Sequence, residues 1–153
     1  MGILTDDMRR MVAEQQLGFI ATVCADGTPN LSPKGTTAVL DDDHLVFADV
    51  HSPGTIANLR ANPAIEINVV DPLVRKGYRF KGTAEIVGEG SRFDALAAFY
   101  RARGSTSIKR HFVVVTVEHA APLISPAYDD GASEAEIRGR WRAYWETLWR
   151  GRD

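Results

Sequence analysis

Two short segments carry the residue types from which an anion site can be built. The first is Ser52-Pro53-Gly54-Thr55, immediately ahead of Ile56, Ala57, Asn58, Leu59 and Arg60. Serine is favoured at a helix cap, and proline at the first helical position loses no hydrogen bond, because an N–H there has no intrahelical acceptor. Glycine next to it keeps side-chain bulk off the backbone, so an outside group can approach. The free N–H groups and the positive end of the helix dipole then favour a phosphate or a similar anion. Thr55 adds a hydroxyl, and Asn58 lies one turn further along the same side. An ordinary capped helix uses the same residues, so this segment alone leaves both readings open.

The second segment is Ser32-Pro33-Lys34-Gly35-Thr36, inside an extended stretch. Proline and glycine within a strand weaken its ladder and mark an edge, a bulge or the close approach of a ligand. Lys34 is one of only four lysines. Placed there, its ammonium can meet a phosphate or a ring oxygen, a bond contributing about 1.5–3 kcal/mol net; the other reading is an edge bulge with a solvated lysine. Strand order in a hairpin would put this segment beside the one that ends near Ser52, so the two could face one ligand. Arg79 and Lys81 share the polar face of a later strand and add positive charge if it lies nearby; a solvent-facing alternation is the other reading.

Other chemistry is poorly supplied. His44, His51, His111 and His119 lack HExxH spacing and cysteine partners, which argues against a metal site; His51, next to the Ser52 segment, is the one of interest. Cys24 is the sole cysteine, so no intramolecular disulfide forms, and its neighbours Val23 and Ala25 suit a half-buried strand thiol better than a nucleophile. There is no Walker-type loop, no G-x-G-x-x-G after a strand and no G-x-S-x-G elbow.

The elements that must position these residues follow from caps, turns and periodicity. Thr5 caps a first helix with Asp6 and Asp7 in its first turn, where the dipole favours negative charge. Met8, Met11 and Val12 keep helical spacing, and Gly18 is placed to end that helix. A strand over 19–24 meets the hairpin signal Asp26-Gly27. Strands follow over 30–40, 44–49 and 64–70, the short Ser52 helix lying between the last two. Residues 77–87 alternate Tyr78, Phe80, Gly82, Ala84 and Ile86 with polar residues, a half-buried strand. A helix from Ser91, striped by Phe93, Leu96, Ala97 and Tyr100, closes at Gly104, and 112–117 is a sixth strand. Ser133-x-x-Glu136 is a capping box for a last helix, whose Ile137, Trp141, Tyr144, Trp145 and Leu148 share one face. Core packing is the default for that stripe; its three tryptophans also suit a dimer interface or a lid. The pattern is mainly β with flanking helices, an antiparallel sheet curled toward a barrel. The 153 residues read as one domain, 1–153, without repeats or linkers.

Composition agrees with a soluble globular chain: 44% hydrophobic and 25% charged residues. The net charge of −2, from 18 basic against 20 acidic residues, lacks the basic excess that phosphate contacts demand of a nucleic-acid binder. Arg138, Arg140 and Arg142 share their helix with Glu134, Glu136 and Glu146, which reads as a mixed solvated face. No window approaches the roughly 20 apolar residues of a membrane span, and Met1 to Arg10 carry charges where a signal peptide needs an apolar run. The expectation is a cytoplasmic protein with neither membrane nor nucleic-acid partner.

Ala21-Thr22-Val23-Cys24-Ala25-Asp26-Gly27-Thr28-Pro29-Asn30, then Ser32-Pro33-Lys34-Gly35, then Val46-Phe47-Ala48-Asp49 through Ser52 to Asn58-Leu59-x-x-Asn62-Pro63, in that order, resemble the pyridoxamine 5′-phosphate oxidase-like, FMN-binding split-barrel family, in particular its small bacterial members. The resemblance implies a six-stranded antiparallel split β-barrel, homodimeric, with FMN in a groove between subunits. It implies that Ser32, Pro33, Lys34, Gly35 and Thr36 run along the flavin. It further implies that Ser52, Gly54, Thr55 and Asn58 lie toward its phosphate; Arg79 and Lys81, read from the alternation of their strand, would add positive charge there. The chain departs from the true oxidases at two places. Pro53-Gly54-Thr55 stands where they carry a Ser-Arg-Lys run, and their C-terminal arginine–histidine substrate motif is not recognisable, so pyridoxamine phosphate oxidation is not the expected reaction. The expected function is hydride transfer between a reduced nicotinamide and a small-molecule substrate, with no residue assigned as general acid or base. The alternatives are a reductase using a deazaflavin coenzyme, whose acidic tail would meet Arg75, Arg79 or Lys81, and a non-catalytic flavin-binding or redox-sensing protein.

Overall fold

The computed structural model describes residues 1–107 and 109–152. They form the helices α1 (Asp6–Gln15), α2 (Pro53–Ala61), α3 (Gly90–Ala102) and α4 (Glu134–Arg150), and the strands β1 (Gly18–Val23), β2 (Pro29–Lys34), β3 (Ala38–Val39), β4 (His44–Asp49), β5 (Ala64–Asp71), β6 (Lys76–Val87) and β7 (His111–Ile124). Thr5 caps α1 and the Ser133–Glu136 capping box opens α4. Helix α1 stops at Gln16, which takes a left-handed φ of 56°, and not at Gly18. That glycine begins β1 instead, where a Cβ would stand 2.5 Å from the Thr37 hydroxyl.

Seven strands replace the six expected, because the stretch 30–40 breaks. At 35–37 the Thr37 N–H and hydroxyl both turn back to the Lys34 carbonyl, at 3.4 and 2.8 Å. Strand β2 therefore pairs with β1, while only the two-residue β3 pairs with β4. The expectation that the Lys34 segment lies beside 44–49 in the ladder is thus corrected. The sheet order is β2-β1-β5-β6-β7-β4-β3, antiparallel throughout.

That order dictates the curl. Laid flat, the two end strands of seven would stand roughly 29 Å apart at the usual strand spacing. Yet β2 and β3 are joined by three residues, which span at most about 14 Å from Lys34 to Ala38. The sheet must roll back until its first and last strands meet. Thr36 makes the seam: its hydroxyl accepts from the Ala48 N–H at 2.9 Å and stands 3.3 Å from the Ala48 carbonyl.

The interior of the roll is one hydrophobic cluster, with Ile20, Ile67 and Phe80 in register across β1, β5 and β6. Met11 and Val12 of α1 and Ile56 and Leu59 of α2 complete it. A second cluster lies on the other side of β4 and β7, where Val46, Ala48, Phe112 and Val114 pack under Leu96 and Tyr100 of α3. Strand β4 is thus covered on both faces, which accounts for its unbroken apolar run.

Strand β7 runs on to Ile124 and not only to 117. Its last residues pair with β6 alone, since β4 begins at His44 opposite Thr116, and on such a one-sided stretch Pro122 removes no ladder bond that a neighbour needs. Helix α4 departs from the expected core stripe. Ile137 is fully buried and Trp141 lies under the Arg75 guanidinium, 3.4 Å from the ring centre. Beyond them Tyr144, Leu148 and Trp149 are exposed. Among the described residues no helix is long and apolar enough to cross a membrane.

Candidate functional site

The roll brings the end of β2 to the start of α2, which the ladder alone would separate. Side chains alternate along β2, so Ser32 and Lys34 point to one side, and Leu31 and Pro33 to the other. The Lys34 ammonium donates to the Ser32 hydroxyl and to the Ser52 hydroxyl, each at 2.6 Å. No carboxylate among the described residues lies within ion-pair distance of it. Burial pushes its pKa below the ordinary lysine value, an effect that the attraction of Asp49 opposes.

Ser52 stands at the head of α2, but its side chain does not cap the helix; the hydroxyl is taken by Lys34 instead. Behind it, Pro53 has no N–H, and the Gly54 and Thr55 amides have no intrahelical acceptor. Gly54 and Gly35 are exposed, and a Cβ on either would meet nothing within 4 Å. An ammonium has three N–H groups and a serine hydroxyl one donor. Two bonds from Lys34 to the serines leave one ammonium proton and both hydroxyl protons unpaired. With the amides they form a cluster of donors, and such a cluster selects an anion.

Several expected participants stand elsewhere. Pro33 lies on the outer face of the sheet, opposite Phe19. The Thr36 hydroxyl is engaged with Ala48, and its carbonyl accepts from the Tyr100 hydroxyl at 2.7 Å. Thr55 is buried. Asn58 does not continue the helix start: its amide donates to the Thr22 hydroxyl at 3.0 Å, with the Cys24 sulfur at 3.6 Å, tying α2 to β1. Arg79 and Lys81 are on the opposite face of the sheet from Lys34, because their row runs through Asn68, Glu66, Phe19 and Ala21 to Pro33 and Leu31. Both guanidinium and ammonium pair with Glu66, at 2.7 and 3.5 Å. They add no charge to the Lys34 cluster within one chain.

The histidine beside the cluster is also a different one. His51 is exposed, whereas His111 is bonded to the buried Asp49, Nδ1 to Oδ2 at 2.9 Å. The other Asp49 oxygen accepts the Ser52 N–H at 2.7 Å. The Asp49-x-x-Ser52 spacing is a local signal of such a carboxylate–amide bond. His111 gave no such signal, since 62 residues separate it from Asp49. On the far side of the 35–37 turn a cleft of about 600 Å³ is lined by Arg9, Gln16, Gly35, Thr37, Tyr100 and Arg103, among others.

Comparison with known proteins supports the same frame. A family model described as pyridoxamine 5′-phosphate oxidase matches residues 4–123. The crystal structure of the HupZ protein of Group A Streptococcus is 34% identical, covering 80% of this chain and 96% of that one, with a TM-score of 0.72. An FMN-binding protein of Syntrophomonas wolfei shares the fold at 18% identity, covering 78% and 85%, TM-score 0.66. So does an F420 reductase at 20% identity, covering 76% and 98%, TM-score 0.59. The protein MJ0282 of Methanocaldococcus jannaschii is 33% identical over 89 residues, 57% of this chain and 58% of its own length, so the chain spans little more than half of that relative. With the rolled antiparallel sheet, the extent of the family match shows that this chain belongs to the pyridoxamine 5′-phosphate oxidase family, in its split-barrel fold.

Proposed function

We propose that the protein binds a phosphate-bearing flavin, FMN, and acts as an oxidoreductase passing a hydride between a reduced nicotinamide and a small substrate. The observation that carries the reading is the Lys34 ammonium held 2.6 Å from Ser52 at the head of α2, with its remaining proton directed to no carboxylate among the described residues. The residues fit the group. Lys34, Ser52 and the Gly54 and Thr55 amides would hold its phosphate, and the open backbone at Gly35 lets a flat ring approach the end of β2. When bound, the flavin supplies the redox chemistry, and the protein supplies orientation and hydrogen bonds. The cleft beside Gly35 and Thr37 is the space for a small substrate. The test is the visible absorption of freshly purified protein, with release of FMN on heating; a colourless protein that also ignores added FMN overturns the reading.

The state of Lys34 gives the affinity a pH dependence. Its folded-state pKa is depressed, so the ammonium is lost as pH rises through that lowered value. FMN affinity, read by flavin fluorescence, is therefore expected to fall with rising pH before the ordinary lysine range is reached. An affinity that holds until pH 10.5 would dissociate the site from Lys34.

A second copy of the chain is proposed to close the groove. The surfaces left bare are the outer face of β1 and β2, where Leu31 is 66% exposed, and the free half of α4, where Trp149 is 60% exposed. Exposed aromatic clusters of this kind are enriched at interfaces. Light scattering at micromolar concentration should return twice the 16.8 kDa of one chain. A mass of one chain would remove the dimer.

A further inference from the structure

One buried carboxylate holds both ends of α2. Asp49 and His111 face each other as partners across β4 and β7, and the His111 Nε2 lies 3.4 Å from the Arg60 guanidinium in the last turn of α2. Arginine only donates, so Nε2 is the acceptor and the His111 proton sits on Nδ1, donated to Asp49 Oδ2. Oδ1 of the same carboxylate accepts the Ser52 N–H at the helix entry. A relay therefore runs from Arg60 through His111 and Asp49 to Ser52, and it fastens the helix start to the two strands beneath it. Ser52 in turn is where Lys34 lands.

We infer that Asp49 is a positioning residue for the phosphate end of the cofactor site, acting through the Ser52 N–H and supported by His111 and Arg60. The inference rests on the flavin reading above and assigns a role to three residues outside the donor cluster. The sign of the effect makes it testable. A carboxylate near a bound phosphate repels it, so charge alone would make removal of Asp49 tighten binding. Its hydrogen bonds work the other way, since without them the Ser52 hydroxyl and the Gly54 and Thr55 amides no longer share one fixed orientation.

The experiment compares dissociation constants of FMN and of riboflavin, which has the same ring and no phosphate, for the wild-type chain, Asp49→Ala and Asp49→Asn. Asp49→Ala is expected to weaken FMN about tenfold while leaving riboflavin within about twofold, an effect that a general loss of structure would not separate. Asp49→Asn still offers an oxygen to the Ser52 N–H and should recover part of the loss. Should Asp49→Ala fail to fold, His111→Phe, which cuts the same relay one residue away, is expected to show the same selective weakening of FMN. Tighter or unchanged FMN binding in the variant that folds, or equal weakening of both ligands, overturns the inference. A wild-type chain without preference for FMN over riboflavin would instead overturn the flavin reading beneath it.

Discussion

Replacing Lys34 by alanine is expected to raise the dissociation constant for FMN by about 10- to 100-fold. The ammonium is the one cation in the donor cluster, and a hydrogen bond to a charged group contributes about 1.5–3 kcal/mol, each 1.4 kcal/mol being a factor of ten. The remaining donors are neutral hydroxyls and amides, which bring no full positive charge to the anion. Thermal stability of the apo-protein serves as the control. Burial depresses the Lys34 pKa, so relief of the half-buried charge offsets the loss of its two bonds to Ser32 and Ser52, and the midpoint should change little. Flavin affinity and apo stability are thus expected to part company. An unchanged dissociation constant would remove Lys34 from the site. Lys34→Arg is expected to restore affinity only in part, because a planar fork replaces the compact ammonium that donates to two serines 2.6 Å away.

The second large effect is structural. Gly82 sits where β6 and β7 slip register, between the pairs Lys81–His119 and Gly82–Val117. A Cβ there would stand 1.9 Å from the Thr116 carbonyl oxygen, and that oxygen belongs to the backbone of the longest strand. No rotamer change can relieve the contact. Gly82→Ala should therefore destabilise the protein by about 3 kcal/mol, the upper range for overpacking, and lower the melting temperature by roughly 6–12 °C for a chain of this size. Circular dichroism melting reads the effect directly. A shift under about 2 °C would mean that the two strands can separate there without strain, against the closed register described above. In the sequence Gly82 looks like one more small residue on the apolar side of an alternating strand; its neighbour across the sheet reveals the constraint.

The donor cluster was only partly legible in advance. Lys34 and Ser52 could be paired as candidates because a strand interrupted by Pro33 and Gly35 and a helix opened by Pro53 and Gly54 are local patterns with local causes. The route by which they meet is not local. The ladder keeps β2 and β4 apart, and the contact comes from the roll of the sheet. Arg79 and Lys81 were legible as a cationic pair on a polar face, but which side of the sheet that face occupies depends on the register with β5 and β1. The residues that fasten the site behind Ser52 fared worst. Asp49 could be suspected from its spacing, while His111 could not.

What the sequence determined by itself is whatever neighbours along the chain enforce. Thr5 and Ser133 set helix starts through bonds to amides three residues on, Asp26-Gly27 sets a hairpin through a positive φ of 82° at Gly27, and the alternation around Phe80 sets an inward face. The tertiary structure decided what depends on groups far apart: the break at 35–37 that splits one strand into two sheet ends, and the turning of Asn58 toward Thr22. It also decided the exposure of Tyr144 and Trp149 on α4 and the choice of His111 over His51. The physical reason is common to all of these. Caps and turns are settled by hydrogen bonds within a few residues, whereas burial and register are settled by which surfaces the rolled sheet brings into contact.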